Sequence, residues 1–207
     1  LRSTEASLKY FFTGAFSTGV LLFGIAWLYG AVGSFKLAEV ATAIQNPETH
    51  SALLYVGVLL ILASFLFKVG AAPFHFWSPD VYEGSPNVVT SFMAAVVKLA
   101  AFGAFLKLFT ISFGGIHEFW APAVMGLAIL TMFIGNLTAL RQTKFKRLLA
   151  YSSITHVGYA LMAIISTSGA SGFNLWVYLL AYGFSIIALI VISLIVNDEE
   201  DNLSSFK

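Results

Sequence analysis

Two lysines and a histidine lie within a stretch of the sequence that is otherwise strongly apolar. Lys68 and Lys98 each sit inside a hydrophobic run, and His75 lies between them. An ammonium group at the depth of a bilayer costs several kcal/mol, so it is retained where it serves a purpose. Gly70 and Pro73 follow the first lysine, and irregular backbone of this kind survives in a membrane only inside protein or beside water. We interpret this stretch as one that moves charge through a membrane.

The chemistry available to these three residues is proton transfer. A lysine in water has a pKa of about 10.4, but burial disfavours its charged form, and a neighbouring carboxylate favours that form. A buried lysine can therefore release and recover a proton as its acidic partner moves. Histidine titrates near neutral pH without help, so His75 can connect Lys68 to Lys98 through water. The competing interpretations are a lysine that reaches out to the membrane surface and a histidine that is only structural.

The composition indicates an integral membrane protein. Of the 207 residues, 58% are hydrophobic and 10% are charged, whereas a soluble domain carries about 25% charged residues. The net charge of +1 gives no support to a nucleic-acid partner. The lack of cysteine excludes disulfides and cysteine-ligated iron–sulfur clusters within this chain. The four histidines do not have the spacing of a metal site, so we predict neither a metal nor a cofactor site in this chain.

Six apolar stretches are long enough to cross a bilayer, which takes about 20 residues in a helix. We therefore predict an all-α bundle of about six transmembrane helices, one of them broken. The chain starts and stops abruptly, so we treat residues 1–207 as a single transmembrane domain within a longer subunit. The predicted crossings run over about 7–29, 52–72, 86–109, 120–140, 148–165 and 173–196.

The second crossing is predicted to break between Lys68 and Ser78. Pro73 removes a backbone donor and disfavours helix at the residue before it. Ser78 is followed by proline and aspartate, which is typical of a helix start with Ser78 as the N-cap residue. Gly84 then ends this short piece, and the third crossing follows.

Most of the remaining charges lie at the ends of the predicted crossings or in the loops between them. Glu5 and Lys9 are one helical turn apart, which is the spacing of a surface ion pair. The basic segment RQTKFKR at 141–147 predicts a cytoplasmic loop, with both chain ends on the same side. The segment SFKLAEVATAI in the 30–50 connection has the pattern of a short amphipathic helix at a membrane surface. The acidic DEEDN after the last crossing is interpreted as a solvated tail or loop.

The run FKVGAAPFHFWSPDVYEGSP, residues 67–86, resembles the core of the antiporter-like membrane subunits of respiratory complex I. Its Pro-Phe-His-x-Trp-x-Pro-Asp frame is shared among these subunits, and the Val-Tyr-x-Gly-x-Pro that follows is typical of the branch called subunit N, or subunit 2 in mitochondria. RSTEASLKYFFTGAF is similar to the start of that family's sixth transmembrane helix. NLTALRQTKFKRLLAYSSITHVGYALMAI is similar to the join of its ninth and tenth. The resemblance covers essentially the whole chain.

The resemblance implies a fourteen-helix, inverted-repeat antiporter-like fold and a proton-translocating function. It implies a subunit of NADH:quinone oxidoreductase that moves protons through buried lysines while quinone is reduced elsewhere in the complex. Lys68 matches the lysine of the family's broken seventh helix, at the centre of the proposed channel. Lys98 matches the lysine of the eighth helix, and His75 matches the histidine between them.

Secondary site residues follow from the same resemblance. Glu5 and Lys9 match a charged pair near the channel periphery, and His156 matches a histidine on the tenth helix. Two expected groups lie outside this chain: a glutamate upstream, on the fifth helix, that partners the first lysine, and a lysine downstream, on the twelfth. The chain also departs from the family at residues 87–89, where a second proline is usual, which puts the start of the third crossing in doubt.

The resemblance also implies which functions belong to other proteins. NADH, FMN, the iron–sulfur clusters and the quinone would be handled by other subunits, so this chain would be part of a translocase without a redox centre of its own. Its partners would be other membrane subunits of complex I, the lipid of a bacterial inner membrane, protons and internal water. The alternative is a subunit of a Na⁺/H⁺ antiporter or membrane-bound hydrogenase complex of the same fold, against which Val-Tyr-x-Gly-x-Pro argues. A third interpretation is a purely structural membrane scaffold.

Overall fold

The computed structural model describes residues 2–166, 168–196 and 202–206, and these are helical almost throughout. Within these ranges, six helical stretches are long and apolar enough to cross a membrane, which confirms the predicted all-α bundle. Residues 198–201 of the predicted acidic tail lie outside the described residues. The helices are α1 (Arg2–Val32), α2 (Leu37–Ile44), α3 (Ala52–Val69), α4 (Trp77–Gly84), α5 (Asn87–Ser112), α6 (His117–Ala139), α7 (Phe145–Ile165) and α8 (Ser171–Val196).

Several crossings extend beyond the apolar runs that predicted them. The first has 31 residues, whereas about 20 suffice to cross a bilayer. Glu5 therefore lies inside α1, as Lys9 does, and not before it. Polar residues at the end of a membrane helix carry no hydropathy signal, so the sequence placed this boundary several residues too late.

The second crossing breaks after Lys68, as predicted. Its first part ends at Val69, and Gly70 follows in the left-handed conformation, with φ of 77° and ψ of 37°. The backbone N–H of Gly70 donates to the Phe67 carbonyl at 3.0 Å, and that of residue 71 donates to the Leu66 carbonyl at 2.8 Å. These are the two hydrogen bonds of a Schellman motif, in which glycine is favoured because it has no Cβ.

The helix resumes at Trp77, so the prediction that Ser78 is its N-cap residue is wrong. Residue 76, which precedes the helix, is already in a helical conformation. Ser78 therefore lies one residue inside α4, where its side chain is fully buried in the bundle and does not cap the free N–H groups. The indole N–H of Trp77 donates to the Phe67 carbonyl at 3.1 Å and ties α4 to the end of α3.

The predicted amphipathic helix is present as α2, between the first two crossings. Val40 and Ile44 are its buried side chains, and the Ser112 hydroxyl at the end of α5 donates to the Leu37 carbonyl at 3.4 Å. The helix therefore covers one end of the bundle. Its position at a membrane surface stays a prediction, as do the cytoplasmic loop and chain ends.

Two pairs of neighbouring helices approach closely at glycine. A Cβ atom on Gly57 of α3 would lie 2.9 Å from the backbone nitrogen of Leu28 on α1. A Cβ atom on Gly158 of α7 would lie 3.0 Å from the Ala128 carbonyl oxygen on α6. Small residues at such contacts let the backbones of membrane helices pack against each other. The short helix α4 packs between α1 of the first pair and α7 of the second.

The outer faces of α1 and α8 are covered with large apolar side chains. Phe16 is 75% exposed, Phe184 is 73% exposed and Ile195 is 77% exposed. Contiguous apolar surface of this kind faces lipid or other membrane helices. The polar groups described next lie inside the bundle or at its end.

Candidate functional site

Lys98 is buried inside the bundle, with 4% of its surface exposed. A π-helical turn, Met93–Val97, immediately precedes it on α5, and such turns occur often at functional sites. The Lys98 ammonium donates to the Ser153 hydroxyl and, at 3.3 Å, to the Ser153 carbonyl oxygen on α7. Because the ammonium ends inside the protein, Lys98 is not a lysine that reaches out to the membrane surface.

Polar side chains of α7 and α8 surround Lys98. The Nδ1 atom of His156 lies 2.6 Å from the Tyr178 hydroxyl, and the His156 ring centroid lies 4.8 Å from that of Tyr182. Together with Ser153 and Lys98, these residues line a cavity of about 10 Å³, which is close to the smallest space that holds one water molecule. The structure therefore brings His156, a secondary candidate in the sequence, next to Lys98.

Lys68 lies just before the helix break, and His75 lies within the break. Lys68 is in the last turn of α3 and is partly exposed. His75 is half-buried and lies beside the Pro73 backbone, and its Nδ1 atom has no hydrogen-bond partner among the described residues. In the part of the chain that the structure describes, no hydrogen bond joins Lys68, His75 and Lys98 directly. The relay among them stays a prediction, and it requires water or further groups between them.

A second polar region lies at one end of the bundle, where α1, α4 and α7 meet. Glu5 and Lys9 form the ion pair that their spacing predicts, at 2.7 Å, and Lys9 also contacts Asp80 of α4 at 2.8 Å. Arg147 of α7 contacts the other Asp80 oxygen at 2.8 Å and Glu83 at 2.9 Å. The predicted pair is therefore part of a series of ion pairs that holds the short helix α4 between α1 and α7.

Two acids of this series, Asp80 and Glu83, are held in their charged form. Partial burial raises the pKa of Asp80, but hydrogen bonds from Lys9 and Arg147 outweigh burial and leave the pKa below its usual value. Partial burial also raises the pKa of Glu83, and hydrogen bonds from Lys144 and Arg147 reverse the effect in the same way. Each of these two carboxylates contacts two basic groups. The region is thus a charge-balanced connection between helices.

The partners of Lys98 and of the Glu5–Lys9 pair were not predicted from the sequence. Ser153 and Tyr182 are far from Lys98 along the chain, and hydroxyl side chains are common in membrane helices, so nothing marked them. Asp80 and Arg147 did carry a signal. Each is a charge at the end of a predicted crossing, and since successive crossings alternate in direction, the two ends fall on the same side of the membrane. Pairing opposite charges across loops on one side would have connected them.

The whole chain is similar to one family of membrane proteins. The profile of the family described as NADH:quinone oxidoreductase/Mrp antiporter, TM, matches residues 1–207. NADH-quinone oxidoreductase subunit N of Acidothermus cellulolyticus is 46% identical over 198 residues, which cover 96% of this chain and 38% of the relative. The chain thus spans well under half the length of this curated relative.

Solved structures have the same architecture. A chain of respiratory complex I from Thermus thermophilus with bound aureothin is 42% identical, with a TM-score of 0.72 over 90% of this chain and 40% of that chain. A chain of the Mrp complex from Dietzia sp. DQ12-45-1b has a TM-score of 0.85 over 95% of this chain and 36% of that chain, at 22% identity, which shows the fold alone. Both matches confirm the antiporter-like fold that the sequence predicts. The chain belongs to the NADH:quinone oxidoreductase/Mrp antiporter family of transmembrane proteins.

Proposed function

We propose that this chain forms the middle of the proton path in a membrane subunit of a bacterial NADH:quinone oxidoreductase. The main observation behind the proposal is the burial of Lys98 in a membrane-spanning helix. Its ammonium donates hydrogen bonds to two oxygens of Ser153 and not to a carboxylate. A buried charge without a counter-charge is costly, and in membrane helices such residues mark paths of ions or protons. The 46% identical relative named subunit N supports the assignment to this complex.

Lys68 is the first station of the proposed path. It lies at the edge of the helix break, and its side chain is partly exposed. The resemblance implies that a glutamate from an upstream helix lies next to it. A carboxylate close to the ammonium keeps the proton on Lys68, and a carboxylate that moves away lets the proton leave. The movement of one acidic group can therefore load and unload this lysine.

The proton then passes from the helix break to the interior of the bundle. His75 lies within the break and can take up and release a proton near neutral pH. Lys98 receives the proton in its closed pocket, where the Ser153 oxygens stabilise the ammonium. His156, which shares the small cavity with Lys98, is the next group toward α8.

The remaining parts of the proposal concern the complex around the chain. NADH, FMN and the quinone are assigned to other subunits, as the resemblance implies, and this chain has no glycine-rich dinucleotide-binding motif. The iron–sulfur clusters are assigned elsewhere because the chain has no cysteine to hold one. The exposed apolar faces of α1 and α8 suit contacts with further membrane helices and with the lipid of a bacterial inner membrane. The antiporter alternative has less support, because the Mrp chain shares 22% identity with this one, whereas the relative named subunit N shares 46%.

The test is proton translocation per NADH oxidised, measured in vesicles that contain the complex with the full-length subunit. We expect Lys68→Ala to abolish or strongly reduce translocation while the complex still assembles. Lys107→Ala is the matched control, since Lys107 is an exposed lysine on α5, and we expect it to translocate protons normally. An assembled Lys68→Ala complex with undiminished translocation would reject the relay and leave the scaffold interpretation. Proton movement that needs sodium and not NADH would favour the antiporter.

A further inference from the structure

Four polar side-chain atoms inside the bundle are buried and have no hydrogen-bond partner among the described residues. They are His75 Nδ1, Ser78 Oγ, Tyr82 OH and Tyr182 OH. Buried polar atoms are nearly always paired, with protein or with ordered water, because an unpaired one costs free energy. Three of the four belong to the helix break and to α4, which follows it. Their concentration in one place calls for a common explanation.

The hydroxyl groups of Ser78, Tyr82 and Tyr182 lie near one another or near Ser153, which contacts Lys98. The Tyr82 hydroxyl faces the side chains of Ser78 and Ser153. The Tyr182 hydroxyl, on α8, faces Ser153 and Tyr82. Ser153 in turn accepts from the Lys98 ammonium. Hydroxyl groups therefore follow one another from the first turn of α4 to the buried lysine.

Tyr82 is held so that only its hydroxyl reaches this polar region. Its side chain is fully buried, and its ring packs in an apolar cluster that includes Phe67, Trp77 and Met93. The Thr90 hydroxyl donates to the Tyr82 carbonyl at 3.3 Å, and this contact fixes the end of α4 to α5. A phenylalanine would fill the same space, so packing does not explain the hydroxyl.

We propose that Ser78, Tyr82, Ser153 and Tyr182 form, with intervening water, a hydroxyl bridge that conducts protons between the helix break and Lys98. The inference rests on the proposed proton-translocating function and adds the residues that connect its stations. It removes the difficulty that no direct hydrogen bond joins His75 to Lys98.

Proton transfer along such a bridge leaves every hydroxyl unchanged. Each oxygen takes up a proton from the group on one side, and its own O–H bond breaks to release a proton to the group on the other side. At the end of one passage, the donor at the break has lost one proton and Lys98 has gained one. The hydroxyls then rotate back, which restores the starting hydrogen-bond direction.

The experiment compares Tyr82→Phe with the wild type in the assembled complex with the full-length subunit. We expect the initial rate of proton translocation driven by NADH to fall about fivefold, the change in rate that corresponds to the loss of one ordinary hydrogen bond. Assembly and thermal stability should stay unchanged, since the ring is kept. Tyr29→Phe is the matched control, because Tyr29 is an exposed tyrosine at the far end of α1, and it should translocate protons normally.

Ser153 provides the second arm of the experiment. Ser153→Ala removes the hydroxyl, and Ser153→Thr keeps it, so translocation should fall in the first variant and be retained in larger part in the second. If Tyr82→Phe does not assemble, Ser153→Ala and Tyr182→Phe test the bridge in its place. Normal translocation by assembled Tyr82→Phe and Ser153→Ala complexes would overturn the bridge. If Lys68→Ala still fails to translocate in that case, the proposed function stands without the bridge.

Discussion

The two lysines in the membrane differ in how much of their surroundings this chain supplies. Lys98 is enclosed by groups from α5, α7 and α8, and its ammonium has two acceptors on Ser153. Lys68 lies at the edge of the helix break, partly exposed, and the described residues offer its ammonium no ion pair or hydrogen bond. The surroundings of Lys98 are therefore supplied by these helices, whereas Lys68 has a side open to groups outside the described residues.

The two lysines also differ in the kind of group that stabilises the charged ammonium. At Lys98, the acceptors of the ammonium are the hydroxyl and carbonyl oxygens of Ser153, so the protonated lysine is stabilised by dipoles and not by a counter-charge. At Lys68, the resemblance implies a carboxylate whose distance can change. We infer that Lys68 is the station that responds to events elsewhere in the complex, while Lys98 is a fixed station that receives what Lys68 releases.

The largest expected effect comes from arginine at each lysine position. Lys98→Arg places a larger group in a closed pocket, and overpacking of this kind costs about 1–3 kcal/mol, so we expect a less stable or poorly assembled complex. Lys68→Arg has room at the open side and should assemble. It should still fail to translocate protons, because a guanidinium group does not release its proton near neutral pH.

Native gels, thermal unfolding and proton translocation per NADH would be measured on both arginine variants. The comparison of the two stations would be wrong if Lys98→Arg assembled with wild-type stability, since its pocket would then not be closed. It would also be wrong if Lys68→Arg failed to assemble.

A smaller effect is expected at the turn that places Lys68. Gly70 has a φ of 77°, and a residue with a Cβ atom in the left-handed conformation costs about 1–2 kcal/mol. The nearest atom to a Cβ at Gly70 is a Trp77 ring carbon at 3.9 Å, so Gly70→Ala would be strained by its backbone alone. We expect a lower midpoint of thermal unfolding and reduced proton translocation.

Gly14→Ala is the control for this variant, because a Cβ on Gly14 meets nothing within 4 Å and its helical backbone suits alanine. It should be neutral or slightly stabilising. Equal stability of the Gly70→Ala and Gly14→Ala proteins would show that the left-handed turn does not hold the break.

The smallest effect is expected in the ion pairs that hold α4. The pKa of Asp80 is lower in the folded protein than its usual value, which is about 3.9 in an unfolded chain. Its stabilising contribution is therefore fully present above about pH 4 and is lost as pH falls through the lowered pKa. Since its side chain is 38% exposed, solvent screening limits the contribution to about 1 kcal/mol or less.

Asp80→Asn removes that contribution at every pH. We expect the variant to unfold at a lower temperature than the wild type at pH 6, with a difference that shrinks as the solution is acidified below the usual pKa of aspartate. Tryptophan fluorescence would follow the unfolding of both proteins. A difference that grows on acidification would show that Asp80 is not stabilised in its charged form.

The sequence predicted the crossings, the helix break and Lys68, His75 and Lys98 as site candidates, because each depends on local signals. Hydropathy marks a span, glycine and proline mark a break, and a lysine inside an apolar run is conspicuous. The surroundings of Lys98 depend instead on which faces of α5, α7 and α8 meet. The π-helical turn before Lys98 changes that face, and no residue type in the sequence indicates such a turn. Ser78 was recognised as a polar residue at a helix start, yet the helix begins one residue earlier and turns its hydroxyl inward.

The central claim is that Lys68 and Lys98 act in one path, one after the other. The most direct test measures protons translocated per NADH oxidised for Lys68→Ala, Lys98→Ala and the double variant, each in the assembled complex. Two stations in series predict that either single variant causes the full loss and that the double variant loses nothing further. A single variant with wild-type proton yield, or a double variant whose loss is the sum of two partial losses, would contradict the account.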